Sequence, residues 1–579
     1  MGDTDILPSR DLIAFQLFDW LDTEGGGDRD TLEAMFDMAQ SVAADAFLPH
    51  YRLSDTEEPQ LTREGVHILP AIREALTQFA ELGLFGVSFS EALGGLGLPF
   101  SAALALQANF FAANIATAAY PMLTIANARL IASFGTPEQI ESFAKPQIEG
   151  HWFGTMCLSE PQAGSSLGDI RTRATADGED RLGSRYRLTG NKMWISGGDQ
   201  DASANIVHLV LAKIAAEDGS LPEGSAGISL FIVPKILPDG TRNDIAVAGL
   251  NHKLGYRGTA NCLLNFGEIE GAIGWRVGLP GQGLRQMFLM MNEARINVGM
   301  GAAALAYRGF RHSLAYAKER LQGRTGRGPG EAPVPIIAHP DVRHMLLRQK
   351  VYAEGGIALC LYCANLVDQE SDPAAQDLLA LLTPIAKSWP SEFGPAANDL
   401  AIQIHGGYGY TRDFDVEQLW RDNRLNPIHE GTNGIQAIDL LGRKLLLSDG
   451  RAFALLRKRI DTTVACATAN SDLKQFGQPL AAFWIAVERV LAGLESCPGT
   501  EAYNDATMFQ RAFGHGVVAW LWLDQACAAA LHAKPALNEA LAHCCRYFFE
   551  SELPQAFSWL DVVERHSDVV RAAPDAVFA

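Results

Sequence analysis

One carboxylate in this chain has neighbours suited to moving a proton. In Arg421–Gln436, RDNRLNPIHEGTNGIQ, Glu430 stands directly before Gly431 and Thr432. Glycine lacks a Cβ, so the backbone there can bring a substrate close to an adjacent carboxylate acting as general base. Glu430 is thus a candidate base and Gly431 a candidate substrate contact. Taken alone, the same residues equally describe a turn capped by its own side chains.

Five other blocks offer binding chemistry. Met156–Asp169, MCLSEPQAGSSLGD, sets Pro161 before Gly164 and presents Ser159, Ser165 and Ser166. Such a loop can cradle an anion, or merely open a β-domain. In Asn191–Gly198, NKMWISGG, Trp194 can cover a flat ring while Ser196, two residues on, shares its side of a strand and can donate to a ring heteroatom. A flavin needs both, and a structural tryptophan is the competing account. The remaining blocks are NHKLGYRGT at Asn251–Thr259, the arginines Arg295 and Arg320 (the latter followed by Gln322 and Gly323), and QIHGGYGY at Gln403–Tyr410. A guanidinium fork suits phosphate; Gly406 and Gly407 would let a dinucleotide approach the main chain, with Gln403 as a hydrogen-bond partner. The arginine- and glycine-rich blocks offer more surface than a mononucleotide needs, so FAD is expected over FMN.

Helices and strands must position these groups. Apolar residues recur at three- and four-residue intervals from Asp11 to about Gly135, including the turn Glu91–Gly97. From Trp152 to about Ile269, short β-branched runs between Gly, Asn, Asp and Pro predict a β-domain. Helical spacing returns from Gly283 to about Gly323, and the Gly/Pro-rich GRTGRGPGEAPVPIIAHP predicts an exposed loop. A second helical pair follows, then a helical module after Arg443 with a loop near Ser496–Asn504. The expected organisation is α+β, with a helical domain over 1–151, a β-domain over 152–282, a four-helix domain over 283–448 and an additional helical domain over 449–579.

Composition narrows the function. A length of 579 residues, 48% hydrophobic, is ample for several cores. With 47 Lys and Arg against 67 Asp and Glu, the net charge of -20 repels a nucleic-acid backbone overall. Nine irregularly spaced cysteines suit a reduced, intracellular setting, and Cys360 and Cys363, a CxxC without a second pair, suit plain burial better than a metal or redox site. No metal is expected. The opening MGDTDILPSR lacks a signal-peptide pattern, and the apolar run Ala102–Leu123 is interrupted by Gln107, Asn109, Asn114 and Pro121. It fits a buried helix better than a membrane span, and a cytoplasmic protein is expected.

Taken in order, SEPQAGSSLGD, LTGNKMWISGG, KLGYRGT, AYAKERLQG, IQIHGGYGYTRD and RDNRLNPIHEGTNGIQ resemble the acyl-CoA dehydrogenase family over roughly Leu61–Lys444. The N-terminal portion, MMNEAR, HPDVRHML and the long C-terminal region resemble its large bacterial subgroup, which includes methylthiopropionyl-CoA and broad-range fatty acyl-CoA dehydrogenases. The resemblance implies the family fold, with FAD between the β-domain and the four-helix domain. It also implies that Ser159, Trp194 and Ser196 line the isoalloxazine, that Thr432 approaches it, and that Arg320, Gln322, Gln403 and Gly407 hold the adenine-dinucleotide half across a homodimer interface. Ser165 would lie near the phosphopantetheine of CoA, while Arg295 would contact the substrate. Glu430 would take the Cα proton of an acyl-CoA, with its own N–H and a ribityl hydroxyl stabilising the thioester oxygen, to give trans-2-enoyl-CoA; electrons would pass to an electron-transfer flavoprotein. An oxygen-using acyl-CoA oxidase, a methylthiopropionyl-CoA dehydrogenase and a weakly active flavin-bearing scaffold remain alternatives. The chain departs from the family pattern at Phe89-Ser90, where an expected proline is absent, at His429, where tyrosine is usual, and at Gly434, where glutamine is common. Glu293, two residues before Arg295, is a competing carboxylate; one position of helix turns a side chain by about 100°, away from where related chemistry would place a base.

Overall fold

Helical periodicity gives way to β-branched alternation at Phe153 and returns at Gly283, and the backbone changes character at the same places. The computed structural model describes residues 2–23, 29–324, 332–497 and 500–579. Part of the expected glycine-rich loop after Gly323, part of the loop expected at Ser496–Asn504 and the first side chains of MMNEAR lie outside the described residues.

The chain begins with α1 (Arg10–Ala14), α2 (Arg29–Val42), α3 (Tyr51–Thr56), the ribbon β1 (Gln60–Leu61) and β2 (Val66–His67), α4 (Pro70–Glu81), α5 (Phe100–Phe134) and the short α6 (Pro137–Gln139) and α7 (Lys145–Ile148). Next come β3 (Phe153–Cys157), β4 (Arg173–Asp180), β5 (Gly183–Ser196), β6 (Ile206–Ile214), β7 (Ile228–Pro234), β8 (Ile245–Leu250), β9 (Asn261–Phe266) and β10 (Ala272–Val277). The rest is helical. It comprises α8 (Gly283–Glu319), α9 (Pro340–Asp368), α10 (Pro373–His405), α11 (Val416–Asn423), α12 (Asn433–Ile438), α13 (Arg451–Ala469), α14 (Lys474–Glu495), α15 (Ala506–His532), α16 (Pro535–Tyr547) and α17 (Leu553–Glu564).

Two elements depart from the expectation. The ribbon β1–β2 has two residues per strand, too few to show an alternation, and β10, inside the expected β-domain, follows the last strand signal read near Ile269 because Gly271, Gly274 and Gly278 dilute its pattern.

The chain folds into two compact units, one of Met38–Pro99 and Asn109–Ala294, the other of Met1–Asp37, Phe100–Ala108 and Arg295–Ala579. In the first, the sheet runs β10-β7-β6-β4-β5-β9-β8, with β3 parallel to β6. Strand β10 also pairs with β5, which closes β10, β7, β6, β4 and β5 into a ring. Val207, Leu209 and Leu211 of β6, Leu230 and Ile232 of β7, and Trp275 and Val277 of β10 bury one face against Leu130, Ile131, Phe143 and Ile148 of the preceding helices. Each such side chain contributes roughly 1.5–3 kcal/mol.

A buried ion pair ties the serine-rich loop to β5. Lys192 Nζ donates to Glu160 Oε1 and to the Leu158 carbonyl, both at 3.0 Å, and the Glu160 carboxylate also accepts from the Arg171 and Thr172 N–H groups. Burial alone would raise the Glu160 pKa, but the Lys192 charge and these hydrogen bonds outweigh it and bring it down to about 2. Helix α5 is, among the described residues, the one helix long and apolar enough to cross a membrane, and 94% of its most apolar window is buried. Its backbone leaves helical geometry at Asn114, whose side chain donates to the Phe47 carbonyl.

In the second unit, α8 and α10 cross closely at Gly299, where a Cβ would sit 1.9 Å from the Ala386 carbonyl oxygen. Cys360 and Cys363 are wholly buried in α9, as packing residues would be. The C-terminal helices enclose Trp484, Trp520 and Trp522, and Glu552 accepts from Tyr352 Oη (2.6 Å) and Arg348 Nε (2.9 Å) of α9.

Removing Lys192 strands a buried carboxylate. Lys192→Met is expected to lower the unfolding free energy by about 3–5 kcal/mol. In the unsubstituted protein the contribution of Glu160 is present above its usual pKa of 4.5 and is lost as pH falls through about 2. Denaturant titrations of both proteins between neutral and acid pH check the loss and its sign.

Candidate active site

Helix α11 ends at Asn423, and nine residues later Thr432 caps α12 by accepting from the Ile435 N–H at 3.3 Å. Between them Glu430 and Gly431 take φ values of 52° and 86°, so the chain reverses on two successive left-handed residues. Glycine does this freely; a residue with a Cβ pays about 1–2 kcal/mol.

Hydrogen bonds hold the turn in place. Gln436 Nε2 donates to the Glu430 carbonyl at 3.1 Å, and Asn433 N to the Pro427 carbonyl at 3.0 Å. Upstream runs a buried chain of amides: Asn398 Nδ2 donates to the Leu305 carbonyl (3.0 Å), Asn423 Nδ2 to Asn398 Oδ1 (2.7 Å), and Asn426 Nδ2 to Asn423 Oδ1 (2.9 Å). His429 Nε2 lies 3.1 Å from Asn426 Oδ1, an acceptor, so that nitrogen carries the proton. Burial and the nearby Lys387 charge push the His429 pKa down to about 3, which keeps the ring neutral. The relay thus carries the positions of α8 and α10 to the residue before Glu430.

Glu430 itself is half-buried, and among the described residues its carboxylate accepts no hydrogen bond and lies in no ion pair within 4 Å. Burial raises its pKa, opposed by the charges of Arg295 and Lys387. Lys387 is fully buried on α10, donates to Asn433 Oδ1 at 3.2 Å, and is pushed down to about 7 by burial against the pull of Glu430. Arg295 is buried too, with Nη1 3.6 Å from Asp439 Oδ2. A carboxylate short of hydrogen bonds among the described residues, held by a fixed turn under the charges of two cations, is arranged to accept a proton from a bound acid.

The same unit brings together Arg320 and the glycine turn after α10. The Arg320 guanidinium carbon lies 5.9 Å from the centre of the Tyr408 ring, and among the described residues Arg320 has no carboxylate within 4 Å. Gly406 has φ 62°, and a Cβ on Gly406 or Gly407 would meet nothing within 4 Å. Gln403 and Gln322 are exposed; the Gln322 carbonyl accepts from His339 Nε2 at 2.7 Å.

In the other unit, Ser159 and Trp194 are brought close by the hydrogen bond from Met193 N to the Ser159 carbonyl (3.0 Å). Trp194 is 58% exposed, and Ser196 Oγ accepts from Asn261 Nδ2 at 3.1 Å. The regular alternation expected through this strand fails. The β5–β9 register shifts between Lys192 and Ile195, and Trp194 has φ 67°, so a bulge re-aims the ring. Ser165 is exposed in its loop, and Glu293 is engaged by Arg129 Nε at 2.9 Å.

Sequence reasoning passed over Lys387, the Asn398–Asn423–Asn426 relay, Gln436 and the Glu160–Lys192 pair. A signal existed for Lys387: it is the single charge in LLALLTPIAKSWP, and a lone lysine in an apolar run is buried with a partner or shifted in pKa.

Comparison with known proteins bears on the whole chain. The family profile "Acyl-CoA dehydrogenase, N-terminal domain" matches residues 29–151, the middle-domain profile 155–269 and the C-terminal-domain profile 281–446. A fourth, "Acetyl-CoA dehydrogenase C-terminal like", matches 456–574. The chain is 35% identical over 488 residues to the 3-methylmercaptopropionyl-CoA dehydrogenase of Ruegeria pomeroyi, covering 82% of this chain and 81% of that protein. It is 32% identical over 588 residues to the broad-specificity linear acyl-CoA dehydrogenase FadE5 of Mycobacterium tuberculosis, covering 95% and 94%. Among solved structures, Caenorhabditis elegans ACDH-11 in complex with C11-CoA superposes with a TM-score of 0.82 at 19% identity, covering 99% of this chain and 95% of that one, which shows a shared fold.

Asn426→Ala should break the relay and strand buried partners on Asn423 and His429, lowering the unfolding free energy by about 1–3 kcal/mol. A shift of the denaturant midpoint at constant slope measures it; an unshifted midpoint would show that the relay does not hold the turn.

Proposed function

The chain belongs to the acyl-CoA dehydrogenase family, and from that membership and the site around Glu430 we propose that it dehydrogenates a saturated acyl-CoA to trans-2-enoyl-CoA with FAD as cofactor. The observation that carries the reading is the Glu430 turn: a half-buried carboxylate on left-handed backbone, its pKa raised by burial and moderated by Arg295 and Lys387.

The residues present suit an FAD. Arg320, with no carboxylate partner among the described residues and beside Tyr408, offers a fork for phosphate, and the open glycine turn at Gly406 and Gly407 would admit a dinucleotide to the main chain, with Gln322 and Gln403 alongside. In the other unit, Trp194 offers an exposed aromatic face, with Ser159 and Ser196 as polar partners; Thr432, beside Gly431, is the further group we assign to the cofactor. When bound, FAD supplies the acceptor for the hydride leaving Cβ.

The protein's own part is to move a proton. A Glu430 carboxylate oxygen takes the Cα proton, and the electron pair of that C–H bond becomes the Cα–Cβ double bond as the Cβ hydrogen departs with its pair. The Glu430 N–H is a candidate donor to the thioester oxygen, where negative charge develops. Gly431 would allow the thioester close to the backbone, Ser165 would contact the CoA arm, and Arg295, held by Asp439, would act on the acyl side through its charge.

The exposure of Arg320, Gln322, Gln403 and Gly407 within one chain supports completion of the dinucleotide site by a second copy, hence a homodimer. We assign a medium to long saturated acyl chain and electron transfer to an electron-transfer flavoprotein. The two curated relatives act, by their names, on compact and on varied linear substrates, so a panel of acyl-CoAs, read by anaerobic flavin bleaching, sets the preference. Reoxidation by oxygen against reoxidation by an electron-transfer flavoprotein separates a dehydrogenase from an oxidase.

Glu430→Gln should retain flavin absorbance while slowing anaerobic bleaching by at least about a hundredfold, the low end of a general-base contribution. Glu293→Gln should stay within about tenfold, the scale of a lost ion pair near 1 kcal/mol. Stopped-flow absorbance measures both, and near-normal bleaching by Glu430→Gln with collapse in Glu293→Gln would reassign the base. Because burial raises the Glu430 pKa and the base must be ionised, the unsubstituted rate should fall with decreasing pH through a value above the ordinary carboxylate range.

A further inference from the structure

Among the contacts of the C-terminal module with the segment after Glu430 is a buried side chain that bonds to the main chain. Gln510 on α15 lies against the first turn of α12. In the amide orientation that satisfies its partners, its nitrogen donates to the Asn433 carbonyl at 3.1 Å, while its oxygen lies 3.1 Å from the Ala437 N–H and 3.0 Å from Ser388 Oγ. Asn433 O and Ala437 N are one turn apart, so the Gln510 amide bridges the first turn of α12. Asn433 is also the residue whose side chain accepts from Lys387. Two neighbouring contacts fix the same stretch of α10 to α15: Trp389 Nε1 donates to His515 Nδ1 at 3.0 Å, and Arg511 Nε to Glu392 Oε1 at 2.6 Å.

We propose that the C-terminal module belongs to the catalytic apparatus: Gln510 and Lys387 are positioning residues that lock the start of α12, three residues after Glu430, and keep a positive charge beside the Glu430 carboxylate. The inference rests on the reading of Glu430 as the base. Lys387 is wholly buried and hydrogen-bonded to Asn433, so its charge sits at a set place, and Gln510 is hydrogen-bonded to the carbonyl of that same Asn433. The other charged or titratable groups facing this cluster are Arg295 from α8, Asp439 and Arg443 from the π-helical segment Asp439–Leu446 that continues α12, and His429 beside Glu430. On the α15 side, Arg511 is paired with Glu392 and His515 faces Glu552. Lys387 and Arg295 are thus the cations that oppose the effect of burial on Glu430.

The test reads the Glu430 carboxyl directly. Infrared spectra of the purified full-length protein, taken across pH and subtracted from those of Glu430→Gln, isolate its protonated and ionised bands. Lys387→Met should move the Glu430 titration upward by about one unit or more, the low end for an opposite charge nearby, and Lys387→Arg should restore most of it. Gln510→Leu should move it in the same direction by less, and should add nothing in the Lys387→Met background. Should Gln510→Leu not fold, Asn433→Ala, which removes the acceptor for Lys387 at a partly exposed position, tests the same link with the same expected sign. A Gln510→Leu protein with a lowered unfolding midpoint and an unmoved Glu430 titration would make Gln510 a packing contact and overturn the proposal; so would an unmoved titration in Lys387→Met. If no acyl-CoA bleached the flavin of the unsubstituted protein, the enzymatic reading would fall while the titration still decided whether the module governs Glu430.

Discussion

A glutamate held in left-handed backbone is the constraint on which the rest of the catalytic half depends. Isolated, Glu430 would leave φ 52° for an unstrained region at a gain of about 1–2 kcal/mol. It stays because its neighbours are fixed from several sides: Gly431 continues the left-handed turn, Gln436 grips the Glu430 carbonyl, Thr432 starts a helix at once, and the amide relay anchors His429. None of these contacts touches the Glu430 carboxylate. The backbone is over-determined while, among the described residues, the carboxylate accepts no hydrogen bond, so its ionisation is governed by burial and by charge.

Burial works against ionisation of the proposed base, and two buried cations oppose that effect. Arg295 and Lys387 differ in kind. Arg295 is paired with Asp439 and keeps its charge at any accessible pH, whereas Lys387 has no carboxylate within 4 Å among the described residues and is pushed down to about 7. Its charge is therefore present when Glu430 most needs help to stay ionised, below neutrality, and fades when that help is superfluous. A hydrogen bond donated to Asn433 Oδ1 fixes this charge in place, and the surrounding helices keep water from screening it.

Much of this was legible in the residues. Helical and β periodicity mark the change of architecture at Phe153 and again at Gly283, and HEGT marks the turn because a glutamate followed by glycine and a capping threonine has few other uses after a helix. What escaped was either geometric or distant. The bulge at Trp194 shows no turn residue at its own position, so the residue pattern predicts unbroken alternation through a strand whose register slips. Lys387 and Asn433 are 46 residues apart, and Gln510 comes from a separate module; spacing along one helix carries no information about such pairs. Glu160 was hidden within a serine-rich loop whose serines drew attention, although a carboxylate satisfied by Lys192 and two backbone N–H groups is what gives that loop its shape.

The central claim, that Glu430 exchanges a proton with the Cα of a bound acyl thioester, can be measured without oxidation. An acyl-CoA analogue whose β-position is oxygen or sulfur cannot give up a hydride, yet keeps an acidic Cα–H. Incubated with the protein in deuterated buffer and followed by NMR, its Cα hydrogen should exchange for deuterium with the unsubstituted protein and stay unexchanged with Glu430→Gln under the same conditions. Exchange that survives the substitution at an undiminished rate would contradict the account and place the base elsewhere.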